Sequence, residues 1–157
     1  MWSNIVQNRR DMIKESPHVE FWITPTVSVY TAYNLPDFHK EWIEEGLLKP
    51  ENFRINPLLD PEFMRIQVLA RKHKREVEQK YRDHIEYLKQ FDCPQVIKDF
   101  EGLISYMWES KRTKEVDQLI KQTEAVDRIR DENWKDVFPE IADLNDQHRV
   151  DFWRHRQ

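Results

Sequence analysis

The stretch from Phe21 to Trp42, FWITPTVSVYTAYNLPDFHKEW, joins a β-branched run to a helix start, and this pairing constrains the fold more than any other feature. From Val19 to Val29 the residues alternate as in a strand. Phe21, Ile23 and Val27 share one face; Trp22, Thr24, Thr26 and Ser28 share the other. The near-continuous apolar start suits a strand covered on both sides, as parallel strands are. Pro25 lacks the N–H that a ladder needs, so regular pairing is expected to loosen around it. Next, NLPDFHKEWIEEG reads as a helix. Pro36 sits in its first turn, Asn34 and Asp37 favour its amino end, and Phe38, Trp42 and Ile43 form its apolar stripe. Gly46 supplies a left-handed stop. Two further runs, FRINPLL (53–59) and FMRIQVL (63–69), read as strands on either side of Asp60 and Pro61.

Before this unit, residues 3–14 predict a helix with Ile5, Val6, Met12 and Ile13 on one face and Arg9 and Arg10 opposite. After it the periodicity turns helical. Val77, Tyr81, Ile85 and Leu88 mark one stripe. Val96, Ile97, Phe100, Leu103, Ile104 and Met107 mark a second, following Pro94. Val116, Leu119, Ile120 and Val126 mark a third from about 113 to 130, and a short helix starts near Trp134. No repeat of fixed period appears. The expected fold class is therefore α/β: residues 1–70 as a partial (β/α) barrel segment with a few mostly parallel strands, and residues 71–157 as a helical C-terminal extension.

Composition narrows the function. Charged residues make up 34% of the 157, but the net charge is only −4, with both signs interleaved, so no basic patch points to nucleic acid. No apolar run approaches the ~20 residues that span a bilayer. Charges interrupt the opening MWSNIVQNRRDMIKE before a secretory apolar segment can form. The single cysteine, Cys93, allows no internal disulfide, and a cytoplasmic location is expected. Gly46 and Gly102 are the only glycines and stand far apart, which excludes the clustered glycines of a phosphate-cradling loop.

The order of elements resembles a known family. TVSVYTAYNLPDF, a helix, FRINPLLDP, MRIQVL and a lysine-rich helix are similar to the carboxy-terminal half of twitch-domain-containing radical S-adenosylmethionine (SAM) proteins. The tail TEAVDRIRDENWKDVFPEIADL adds Asp127 and Arg130, then Phe138, Pro139 and Glu140, a structural tail motif of that group. The resemblance runs from about residue 4 to 144. It implies a [4Fe-4S] cluster and S-adenosylmethionine for the complete enzyme. The cluster needs three cysteines in a CxxxCxxC loop, and this chain has one, so no cofactor is expected on this chain alone. The resemblance thus implies an amino-terminal radical SAM half as partner, or self-association through an open sheet edge. The role implied is to complete the barrel and shape the substrate side without being catalytic alone.

Ligands in parallel α/β architectures sit beyond the carboxyl ends of strands, and the resemblance implies that late strands contact cofactor and substrate, which is the reason to name candidate binding residues here. Thr24, Thr26 and Ser28 occupy that place on the first strand. Arg54 and Asn56 share a face of the second, and Arg65 and Gln67 a face of the third. In such a mouth Arg54 would hold a carboxylate, and the hydroxyls a ribose or substrate; the plain alternative is that these residues face solvent or serve loop backbone. Cys93, before Pro94, reads as a small buried filler. His18, His39, His73, His84, His148 and His155 match no recognised metal spacing, and His148 and His155 fall in a charged tail expected to fray. Glu41, Glu44 and Glu45 read as solvated surface. Asp127 and Arg130 stand one turn apart and are expected to help seat the last helix, and Trp134 and Phe138 to pack in the core. The alternative function, from another class, is a free-standing helix-rich α/β protein-interaction module without enzymatic activity.

Overall fold

The computed structural model describes residues 1–110 and 114–154. Helix α1 (Trp2–Glu15) leads through an extended segment into β1 (Thr26–Val27), and α2 (Leu35–Glu44) crosses to β2 (Asn56–Pro57). Two 3-10 turns, Glu62–Met64 and Ile66–Val68, precede α3 (Arg71–Leu88), α4 (Pro94–Glu109) and α5 (Glu115–Arg130). A short α6 (Trp134–Val137), a 3-10 turn (Pro139–Ile141) and α7 (Leu144–Arg154) close the chain. His155 lies outside the described residues, as does the expected start of the third helix at 113.

One parallel β-α-β unit is present. Thr26 pairs with Asn56 and Val27 with Pro57, and an isolated parallel bridge joins Ile23 to Phe53 in the same register. Between bridge and strand lies Pro25, where the ladder was expected to loosen. The expected partial (β/α) barrel segment with several strands is not what forms. Among the described residues the sheet has two strands of two residues each, and the molecule is mostly helical. The physical reason lies in the second and third runs. Pro57 offers no N–H on the outer edge of β2, the side on which a third strand would have to pair. Among the described residues the 63–69 run joins no ladder; it takes one backbone bond from the first segment, Val29 N–H to Met64 O at 2.9 Å, just past the end of β1. Gln67 sends its Nε2 to the Tyr106 carbonyl of α4 at 3.0 Å, so a helix stands where a neighbouring strand would be needed. With no ladder available, the backbone closes on itself, Val68 N–H to Arg65 O and Leu69 N–H to Ile66 O.

The helices follow their apolar periodicity. Val77, Tyr81, Ile85 and Leu88 of α3 are buried, as are Val96, Phe100, Leu103, Ile104 and Met107 of α4. Gly46 ends the α2 segment at φ 69°, a left-handed value that suits a residue without Cβ. These side chains belong to one core that runs from Val27 to Leu144, across the expected boundary at residue 70. Helix α7 is docked rather than frayed. The Arg71 N–H at the start of α3 donates to Asp151 Oδ2 at 2.9 Å, placing a carboxylate at the positive end of the α3 dipole. Asp143, just before α7, accepts from Lys72 (2.9 Å) and bonds His73 Nε2 (2.7 Å). His148 is buried with Nε2 donating to the Val68 carbonyl at 2.7 Å.

Candidate interaction site

The parallel pair has two unlike faces. On the odd-numbered side, Phe21 stacks on Trp42 (6.3 Å between centroids) and buried Phe53 lies flat against His39 at 3.9 Å. Helix α2 carries both partners, Trp42 and His39, so this face is covered. The even-numbered side is open. Trp22, Thr24 and Thr26 are exposed on the first strand, as are Arg54 and Asn56 on the second. The register sets Thr26 beside Asn56 and, by the same offset, Thr24 beside Arg54. Four of the five candidate residues therefore share one surface. Ser28 does not join them. It is buried, its N–H donates to Thr31 Oγ1 at 2.9 Å, and its Oγ accepts from the Tyr30 N–H at 3.3 Å. That hydroxyl serves the turn into α2.

One edge is open as well. The odd-numbered backbone groups of the first segment point to the second: Ile23 N–H donates to Asn52 O, while Ile23, Pro25 and Val27 carbonyls accept from Arg54, Asn56 and Leu58. The even-numbered groups point the other way. Among the described residues, Trp22 and Thr24 have no backbone hydrogen-bond partner. Parallel strands are normally buried on both faces and paired on both edges. Here one face is bare, and so is the outer edge of the first segment at Trp22 and Thr24; Phe53 and Ile55, on the outer edge of the second, likewise have no backbone hydrogen-bond partner among the described residues.

Arg54 is not wholly free to take a ligand carboxylate, since its Nη1 lies 3.9 Å from Asp99 Oδ2 of α4. That distance and the exposure of Arg54 make the pair weak. Arg65 and Gln67 leave the strand face entirely. Arg65 Nε donates to Leu59 O at 2.6 Å and its Nη2 pairs with Glu62 at 3.0 Å, while Gln67 is buried against α4. Cys93 is buried, and burial, then the charges of Glu51 and Asp92, raise its thiol pKa. A lone protonated thiol does not meet the donor set of an iron–sulfur cluster, so the residues present do not fit that group.

The tail motif works as a joint. The Trp134 N–H donates to Asp127 Oδ2 at 2.7 Å, capping α6, and Asp131 turns the chain at φ 55°. No ion pair joins Asp127 to Arg130 among the described residues, and both Arg130 and Glu140 are exposed. Phe138 packs on Tyr30 at 4.9 Å, and the Tyr30 hydroxyl bonds Thr123. Pro139 opens the following 3-10 turn.

Several polar residues of consequence stand at apolar positions. His39 and His84 meet in the core, Nδ1 to Nε2 at 3.0 Å. Burial, and then His84 for His39, push these imidazoles down to about 3 and about 4. Burial tends to raise the Asp143 carboxyl, but hydrogen bonds from Lys72, His73 and Gln147 outweigh it and hold it at about 2. Arg9 is the other surprise. It falls in line with Trp2, Val6 and Ile13, spaced four, three and four apart, and so faces inward rather than away. The signal was that spacing, which admits a cation if its stem packs and its head finds a carbonyl. Compared with known proteins, the chain matches no family model, no curated protein and no solved structure.

Proposed function

We propose that this chain is the non-catalytic carboxy-terminal segment of a radical S-adenosylmethionine enzyme, working with a separate amino-terminal half that holds the cluster and S-adenosylmethionine. The observation that carries the reading is the bare side of the parallel pair: Trp22, Thr24 and Thr26 beside Arg54 and Asn56, with an unpaired strand edge. Backbone donors and acceptors left unpaired at a strand edge form a template for another strand. The partner half would pair along Trp22 and Thr24, and the hydroxyls of Thr24 and Thr26 with Asn56 would then face the substrate side. The order of TVSVYTAYNLPDF, FRINPLLDP and the Asp127 to Glu140 tail supports the family part of the reading. The cluster and cofactor belong to the partner, since Cys93 is one buried thiol. A cytoplasmic setting for the complex is in keeping with that lone cysteine; among the described residues no helix is long and apolar enough to cross a membrane.

The test is anaerobic co-expression with an amino-terminal radical SAM half bearing CxxxCxxC. The reading expects a stable complex with iron–sulfur absorption, lost when Thr24 is replaced by proline. Two halves that purify apart, each behaving as it does alone, would refute it. A free-standing protein-interaction module is the second reading. It is favoured by the single continuous core from Val27 to Leu144, which gives the chain its own fold. Capture of partners that lack any CxxxCxxC motif, through the same bare strand side, would select it.

A further inference from the structure

A cleft of about 420 Å³ opens between the end of α1 and the turns flanking the parallel pair, away from the bare strand side. Its walls are mainly apolar, formed by Ile13, Val19, Phe21, Leu47 and Leu48. That volume lies in the range of small-molecule sites, roughly 300–1,000 Å³. Arg9 is the fixed polar group. Its Nε donates to the Leu47 carbonyl at 2.8 Å, and its guanidinium lies over the Phe21 ring, 4.0 Å from the centroid. Both contacts hold the plane in place. Among the described residues neither Nη nitrogen has a hydrogen-bond or ion-pair partner, whereas neighbouring Arg10 pairs with Glu45 at 2.7 Å. Lys49 and His18 also line the cleft, and Glu20 is its one acid. Counting His18 neutral, Arg9 and Lys49 against Glu20 leave an excess of one positive charge in a chain whose net charge is −4.

We propose that this cleft binds an amphipathic monocarboxylate, a molecule with a single carboxylate on an apolar body. The carboxylate pairs with the Nη side of Arg9, where a planar fork suits two parallel N–H···O bonds. The apolar body lies against Val19, Leu47 and Leu48. An inorganic anion leaves those walls wet, and a neutral alcohol leaves Arg9 without a counter-charge, so neither satisfies both halves of the site. The inference is independent of the radical SAM reading, because none of these residues lies on the bare strand side.

Equilibrium dialysis of the full chain against labelled octanoate, below micelle-forming concentrations, tests this whatever the oligomeric state. The expected result is saturable binding at one molecule per chain, displaced about tenfold less well by 1-octanol and not by phosphate. Arg9→Met should weaken octanoate about tenfold while leaving 1-octanol unchanged. Absence of saturable binding overturns the proposal. So does equal competition by 1-octanol, displacement by phosphate, or undiminished affinity in a folded Arg9→Met chain. If circular dichroism shows that variant unfolded, the comparison of octanoate with 1-octanol on the unaltered chain decides.

Discussion

His39 and His84 form a neutral pair inside the molecule, 3.0 Å apart and walled by Phe53, Phe100 and Tyr87. Either ring must lose its solvation to sit there, and neither can charge without a penalty. Their folded pKa values lie near 3 and near 4, below the ordinary value of 6.5. The unfolded chain therefore binds more protons, and stability falls as the solution is acidified from about pH 6.5 toward pH 4. Asp37 beside His84 resists this shift and Lys40 adds to it. With two rings, each at about 1.36 kcal/mol per pH unit below 6.5, the loss should reach on the order of 5 kcal/mol, read from urea midpoints between pH 7 and pH 4.5. The double variant His39→Phe, His84→Met should flatten that slope. An unaltered slope would show that the pair is not the acid-sensitive element. Such residues were hard to read in advance. His39, His73 and His148 occupy helix positions that apolar side chains would fill, and their partners lie 45, 70 and 80 residues away. A periodicity argument scores them as polar and places them outside, because it cannot see the distant group that satisfies each ring.

Helices were the legible elements. In α3 and α4 the apolar stripe alone fixed which side turns inward, since burying it is the main source of stability for a helix of this length. The α2 segment was equally plain, with Pro36 near its start and Gly46 at its end. The run from Phe63 to Leu69 was not legible. Its β-branched and apolar residues fit a buried strand, yet they fit two stacked 3-10 turns just as well once α4 lies alongside. Whether a short apolar run pairs depends on a neighbour that its own residues do not encode. The joint between α5 and α6 offers a sharper test. Asp127 accepts the Trp134 N–H, so Asp127→Ala should cost about 1 kcal/mol and Asp127→Asn much less. Thermal denaturation of both variants would measure it. Equal losses would mean that the carboxylate's charge, and not an oxygen accepting the Trp134 N–H, carries the effect.

At the scale of the molecule, one well-packed helical body carries a small parallel pair with a bare face and a bare edge. The candidate residues Thr24, Thr26, Arg54 and Asn56 were recognisable as sharing a strand face, because alternation fixes sides without any knowledge of neighbours. That Ser28 would be spent on the turn, and that the sheet would stop at two strands, depended on Thr31 and Pro57. An open edge should make the chain associate with itself. Light scattering across a concentration series is expected to show assemblies above the monomer mass, shifted back toward the monomer by Trp22→Lys together with Thr24→Pro. A strict monomer at every concentration would count against an adhesive edge. The most direct measurement is amide hydrogen exchange on the dilute, monomeric chain. The amides of Ile23, Arg54, Asn56 and Leu58, which are bonded across the pair, should be protected, while those of Trp22 and Thr24 exchange at nearly the unfolded rate. Protection of Trp22 and Thr24 to the level of Ile23 would mean the edge is already closed, and the account of an incomplete sheet awaiting a partner would be contradicted.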